Sequence, residues 1–339
     1  MKLIHIIAGS QYGGAERFCC DLVNALSKRG VDQHVITRSY PERIKSLRGN
    51  GCEVSLVRMG NFFDFHSSIK IKKVIKKIKP QVVMGWMSRG ASYISNQTNL
   101  KVGRLGGYYK LKYFKNCDQL ICNTPQLVDY CIKNNWPKEK VHYIPNFSPI
   151  TDYAILHRSD FNIPKGAVVL LILARLEEKK GIDLAIKAVS KIPNAYLLIA
   201  GEGSMKNALL GLSQSLNVKD RVLFLGWRDD RESLLKLADI CLVTSVVEPF
   251  GNVVLNAWVS RTPIISTNSE GPSFLIKNYK NGILFSNNDL NDLVSSIFML
   301  INSKDIVSEI IENGWIEANT DFSEETVTAA YIDFFDSYC

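Results

Sequence analysis

Ala167-Val168-Val169-Leu170-Leu171-Ile172-Leu173-Ala174-Arg175-Leu176-Glu177-Glu178-Lys179-Lys180-Gly181 reads as a buried strand, Ala167–Ala174, that runs straight into a charged loop closing at Gly181. Short, β-branched apolar runs bounded by turn residues are the mark of strands covered on both faces. The same run recurs at Ala195–Gly201, Val222–Gly226, Ile240–Ser245, Pro263–Asn268 and Ile283–Ser286, with segments of helical period between. Upstream it recurs at Leu3–Ala8, His34–Arg38, Glu53–Met59, Gln81–Trp86, Lys101–Leu105, Gln119–Thr124 and Val141–Pro145. Strands alternating with helices predict parallel α/β architecture, here two doubly wound sheets in tandem.

Length agrees, since 339 residues suit two domains. The expected organisation is a Rossmann-like domain over 1–150, a connection rich in Pro, Asn, Asp and Ser over 151–166, and a second Rossmann-like domain over 167–320. A C-terminal helix within 321–339 is expected to pack back towards the first domain. In open α/β sheets ligands bind beyond the carboxyl ends of the strands, so two such edges facing each other predict a cleft.

Composition is that of an ordinary globular protein, 46% apolar and 22% charged. Leu3–Ala8 is too short for a signal-peptide core, and no run approaches the roughly 18 apolar residues of a membrane span, so a cytoplasmic chain is expected. The eight cysteines contain no Cys-x-x-Cys pair and the five histidines no metal-ligand spacing, which predicts reduced thiols and no metal site. The net charge of +8 favours an anionic partner.

Three loops carry residues suited to chemistry. Ser10-Gln11-Tyr12-Gly13-Gly14-Ala15-Glu16-Arg17 follows the first strand; adjacent glycines bring backbone N–H groups against a phosphate at a helix start, or simply make the turn. It is neither a dinucleotide fingerprint nor a P-loop. Arg175 and Lys180 place a guanidinium and an ammonium over one loop, an arrangement able to hold a diphosphate, though a solvated basic loop has the same composition. In the third, Glu248-Pro249-Phe250-Gly251-Asn252 leads from a strand into a helix whose first amides suit a phosphate, while Glu248 suits sugar hydroxyls or only balances the helix dipole.

Together these segments resemble the retaining family 4 glycosyltransferases of GT-B fold along nearly the whole chain. Gly13, Gly14 and Glu16 match the family's Gly-Gly-x-Glu; Arg175, Leu176, Lys180 and Gly181 match its Gly-Arg-Leu…Lys-Gly, with Ala174 replacing the first Gly. Tyr143-Ile144-Pro145-Asn146, Gly201-Glu202-Gly203 and Phe224-Leu225-Gly226-Trp227 match further stretches in the same order. The resemblance implies that Arg175 and Lys180 grip the donor diphosphate, with Gly13 and Gly14 against the phosphate from the other domain. It implies that Glu248 holds sugar hydroxyls and that Gly201, Gly203, Phe250, Gly251, Asn252 and Asn256 line the donor site. Trp227 and Arg228 would border the base. Catalysis would rest on Glu248, Arg175 and Lys180, with a UDP- or GDP-sugar as donor and no cofactor or metal.

Two departures stand out. Asn256 occupies the position of the family's second Glu, which binds ribose hydroxyls, and Arg104-Leu105-Gly106-Gly107-Tyr108-Tyr109 stands where many members have a His. Glu16, Arg104, Tyr108 and Tyr109 are the candidates for the acceptor side. An epimerase or hydrolase of the same build, or a binding protein that kept the donor pocket, are the rival readings.

Lys70, Lys72, Lys73, Lys76, Lys77 and Lys79 alternate with apolar residues at 71, 74, 75 and 78 that form one helical stripe. Such a helix is either a solvated cover on the sheet or a face resting on anionic lipid, about 1 kcal/mol per nearby Lys. Taken with this basic face, the family resemblance implies as acceptor a growing glycan on a lipid carrier or a lipopolysaccharide core at the cytoplasmic face of a bacterial inner membrane. No nucleic-acid motif accompanies the lysines.

Overall fold

The computed structural model describes residues 1–60, 64–95 and 98–338, so Cys339 lies outside the described residues. The chain divides into two compact units, Met1–Phe147 with Phe322–Cys339, and Ser148–Asp321.

Unit 1 is a seven-stranded parallel sheet built from β1 (Lys2–Ile7), β2 (Asp32–Thr37), β3 (Glu53–Leu56), β4 (Val82–Trp86), β5 (Leu100–Leu105), β6 (Gln119–Cys122) and β7 (Val141–Tyr143). Its order is β3-β2-β1-β4-β5-β6-β7. The covering helices are α1 (Gly14–Lys28), α2 (Pro41–Gly49), α3 (Phe65–Ile78), α4 (Met87–Ser92) and α5 (Pro125–Lys133).

Unit 2 holds a six-stranded parallel sheet of β8 (Val168–Leu173), β9 (Ala195–Ala200), β10 (Val222–Gly226), β11 (Ile240–Val243), β12 (Ile264–Thr267) and β13 (Ile283–Phe285), in the order β10-β9-β8-β11-β12-β13. Around it lie α6 (Ile182–Lys191), α7 (Lys206–Ser215), α8 (Arg231–Leu237), α9 (Asn252–Val259), α10 (Glu270–Leu275), α11 (Leu290–Asn302) and α12 (Lys304–Asn319). The last helix, α13 (Glu324–Asp336), returns to unit 1.

All thirteen expected strands are present, most of them shorter by a residue or a few than the apolar runs that announce them. In both sheets the chain reverses direction beside its first strand, which lies between β2 and β4 in unit 1 and between β9 and β11 in unit 2. That reversal leaves a crevice at the carboxyl edge.

In unit 1, β1 and β4 are buried along most of their length. Val327, Tyr331 and Phe335 of α13 join Leu3, Phe18, Trp86, Ile144 and Phe147 in one apolar cluster. Lys28 adds an ion pair to Glu324 at 2.8 Å.

The α3 stripe is as its spacing predicts. Ile71 and Ile75 are fully buried while all six lysines stay in solvent. Two apolar residues face water there as well, Phe65 at 69% and Ile69 at 53% exposure.

The segment read as a connection, 151–166, lies wholly within unit 2, which begins at Ser148. Its reason is local: Arg158 pairs with Asp239 at 2.7 Å and donates to the Ala167 carbonyl, and Ile163 is buried. The seven described cysteines are free and buried.

Candidate active site

The carboxyl ends of β8 and β11 flank the reversal point of the second sheet, and the second and third loops leave from them. Beyond β8, Arg175 pairs with Glu177 at 2.7 Å, and Glu177 also holds Lys179 at 3.1 Å. The loop then tightens through a short helical turn at Glu178–Lys180 before α6. Neighbouring β11 clamps it: the Thr244 hydroxyl donates to the Lys180 carbonyl at 2.9 Å, and the Val246 N–H to that of Lys179 at 2.9 Å.

The clamp brings Lys180 to Glu248. Their Nζ and Oε2 atoms lie 2.6 Å apart, with both side chains mostly shielded. Charges at that separation, partly withdrawn from water, hold each other more firmly than a surface pair does. The site thus has one cation–carboxylate pair fixed across the reversal point and a second cation, Arg175, on a more open tether.

Backbone geometry prepares the surroundings. Gly251 has φ +94°, a conformation L side chains rarely adopt, and it starts α9 with Asn252 as the first helical residue. The N–H groups of this first turn carry a partial positive charge. Phe250 is buried beneath, where Gly271 passes so close that a Cβ would stand 2.5 Å from its backbone, and the Gly271 N–H donates to the Glu248 carbonyl at 2.9 Å. Gly201, with φ +155°, is equally constrained, for a Cβ would lie 1.8 Å from the Ala174 carbonyl oxygen. The turn through Gly203 is stitched to the basic loop by Leu176 N–H to Glu202 O at 3.0 Å.

Trp227 and Arg228 follow β10, at the edge of the sheet. The Trp227 indole donates to Asp229 at 2.9 Å, and Arg228 forms two bonds to Asp230 at 2.5 and 2.8 Å, which holds that carboxyl below its usual range. Asn256, one turn into α9, is buried and its amide donates to the Ser148 hydroxyl at 2.7 Å.

Unit 1 arranges its own loop differently from expectation. Glu16 turns inward: its carboxylate accepts from the Ser10 N–H at 2.8 Å, and Cβ atoms on Gly9 or Gly13 would collide with it. Gly13 is extended, so it supplies space, and Gly14 opens α1. Arg43 of α2, which sequence reasoning passed over, braces the same loop by donating to the carbonyls of Ser10 and Gln11 and to the Thr37 hydroxyl. Only its place on a helix beside the loop could have signalled it.

Arg104 is a core residue, against its reading as a cleft side chain. It is 2% exposed; its guanidinium donates to the Tyr331 hydroxyl at 2.6 Å, to Asn146 at 2.5 Å and to the Leu105 carbonyl, beside the rings of Phe18 and Trp86. A guanidinium at the end of a buried strand satisfies its donors on whatever packs over it, here α13. Tyr108 remains exposed, with its ring edge-on to Tyr130, and Tyr109 is half-buried with its carbonyl bonded to the Tyr130 hydroxyl at 2.9 Å.

These features define a doubly wound α/β protein with paired cations and a helix start at a sheet reversal point. Residues 155–315 match the sequence model of the family described as glycosyl transferases group 1, and residues 12–150 that of glycosyltransferase family 4. Over 339 residues, 98% of each chain, the protein is 32% identical to the lipopolysaccharide core biosynthesis glycosyltransferase LpsE of Rhizobium meliloti. It is 31% identical to LpsD of the same organism, covering 99% of this chain and 98% of that one. Among solved structures, Anabaena HepE in complex with UDP-glucose matches with a TM-score of 0.87 at 19% identity, covering 99% of this chain and 100% of that one, a likeness of fold. The chain belongs to the group 1, family 4 glycosyltransferases, enzymes of GT-B architecture.

Proposed function

We propose that the protein passes a sugar, with retention of configuration, from a UDP-sugar to a glycan or lipid-linked acceptor in lipopolysaccharide core or surface polysaccharide synthesis. The observation that carries this reading is the Lys180–Glu248 pair at the reversal point of the second sheet, with Arg175 on the adjoining turn. Lys180 and Arg175 take up the charge of the departing diphosphate, aided by the first amides of α9 at Asn252. Glu248 exchanges its lysine contact for sugar hydroxyls when donor arrives, which frees Lys180 for phosphate. Gly201, Gly203, Phe250 and Gly251 shape the pocket wall, and Trp227 with Arg228 borders the base. The names of LpsE and LpsD support the core-glycan acceptor, and HepE, solved with UDP-glucose, supports uridine as the base.

The exposed lysines of α3, with Phe65 and Ile69 beside them, rest on anionic lipid in this reading. Among the described residues no helix is long and apolar enough to cross a membrane.

Calorimetry with UDP, GDP, ADP and CMP tests the donor site, followed by product analysis with a UDP-sugar and lipopolysaccharide core acceptors. Selective UDP binding and transfer with retention support the proposal. No binding to any nucleotide removes the donor-site assignment. Release of free sugar independent of acceptor, or binding without turnover, replaces it with hydrolysis or a non-catalytic role.

A further inference from the structure

Past β11 the chain leaves the sheet at Val243, yet the residues that lead to Glu248 stay tied to the two strands beyond. The Ser245 carbonyl accepts from the buried Thr267 hydroxyl, at the end of β12, at 2.6 Å. With its one proton committed there, Thr267 accepts from the buried Ser269 hydroxyl at 3.1 Å. The Val246 carbonyl accepts from the Asn287 amide, two residues past β13, at 3.0 Å, while the Val246 N–H is engaged by Lys179. In the sheet β12 separates β13 from β11, so Asn287 reaches past the end of β12 to make this bond.

The turn that carries Asn287 is itself fixed. The Ser286 N–H donates to Asp292 at 2.7 Å and the Asp289 N–H to the Ser286 carbonyl at 3.0 Å. Asp289 caps α11 by accepting from the N–H groups of Asn291 and Asp292 at 2.9 and 3.0 Å. A donor on so braced a turn holds whatever it binds in one place. Asn287 is exposed, where water competes for the same groups and one hydrogen bond contributes little to stability. Its effect is to fix the carbonyl two residues before Glu248.

We infer that Asn287 and Thr267 are positioning residues for sugar transfer: they set the place of the Glu248 carboxylate, and through it the affinity for the sugar half of the donor. Lys180 holds that carboxylate from one side at 2.6 Å. Exchange of the lysine for sugar hydroxyls needs a backbone that stays still while the side chain turns, and the bonds to Ser245 and Val246 provide it from the other side. Positioning is steep in distance, since a displacement of about 1 Å costs up to about 100-fold. The inference rests on the transferase reading above, which gives Glu248 its sugar contact.

Calorimetry on the whole chain tests it, with UDP and with UDP-glucose, UDP-galactose and UDP-N-acetylglucosamine as probes. The quantity read is the preference for the tightest of the three sugars over UDP. Asn287→Ala and Thr267→Val should each lower it about three- to tenfold, the span of one hydrogen bond. Thr267→Ser, which keeps the hydroxyl, should restore it. In a Glu248→Ala background Asn287→Ala should lower it no further, because the two residues act as one unit. Asn287 is exposed, so its variant keeps the test alive if Thr267→Val fails to fold. A preference that Glu248→Ala abolishes but Asn287→Ala and a folded Thr267→Val leave intact overturns the inference alone. So does an Asn287→Ala effect that persists in full without Glu248. A Glu248→Ala protein with wild-type preference, or a wild type that binds no UDP-sugar more tightly than UDP, removes the Glu248 sugar contact itself and the inference with it.

Discussion

The amide of Asn256 donates to the hydroxyl of Ser148 at 2.7 Å, and both side chains are buried within unit 2. The resemblance implies a ribose-binding Glu at this helix position; here Asn256 ties the beginning of unit 2 to α9. Ser148→Ala and Asn256→Ala should each cost about 1 kcal/mol or more, because each leaves a buried polar partner unmet. Their double variant should cost less than the sum, by roughly 0.5–1.5 kcal/mol. Urea unfolding of the four proteins measures the coupling, and strict additivity would refute it.

Lys180 and Glu248 respond to substitution in opposite directions. Lys180→Ala and Arg175→Ala should each weaken UDP binding by about 1.5–3 kcal/mol if each makes a charged hydrogen bond to the diphosphate. Glu248→Gln should leave UDP binding intact or tighter, since Lys180 no longer has a carboxylate to leave, yet erode the extra affinity that the sugar adds. A Glu248→Gln protein with wild-type preference for UDP-sugar over UDP would rule out the hydroxyl contact.

Removing one hydroxyl tests the core of unit 1. Tyr331→Phe leaves the buried Arg104 Nε–H without its acceptor, a loss of about 1–3 kcal/mol. Hydrogen exchange along α13 should accelerate accordingly, while α9 and α12 keep wild-type protection. Unchanged exchange in α13 would show that Arg104 is satisfied elsewhere.

His5 makes unit 1 sensitive to acid. Its ring is fully buried, accepting from the Trp86 indole at 3.1 Å and donating to Gln33 at 2.9 Å, and burial pulls its pKa down from 6.5 to about 4. Between those values the unfolded chain binds a proton that the folded chain refuses, so stability falls as pH drops from about 6.5 towards 4. The full effect is about 3 kcal/mol. Ring nitrogen shifts of His5 should stay flat from pH 8 to about 5; titration near 6.5 would contradict the network.

Much of the architecture was legible because strands buried on both faces need unbroken apolar runs, and turns between them need glycine and small polar residues. Arg175, Lys180 and Glu248 were legible as residue types at strand ends. Their pairing was not, since Lys180 and Glu248 stand 68 positions apart and meet only through the order of β8 and β11. Arg104 misled for the same reason. Its partner Tyr331 lies 227 positions away, on a helix whose docking no local pattern announces. Arg43 and the inward turn of Glu16 were likewise hidden, because bracing a loop from behind leaves no periodicity.

The return of the chain to unit 1 at Phe322 has a bearing on biosynthesis. Synthesis runs from the amino end and domains generally fold as units. Every strand of the first sheet is therefore made early, but Tyr331 and Phe335 reach their cluster only after all of unit 2 has left the ribosome. The unit that begins first is completed last. A stop codon near residue 321 would spare unit 2 and leave a hole in unit 1 beside Arg104.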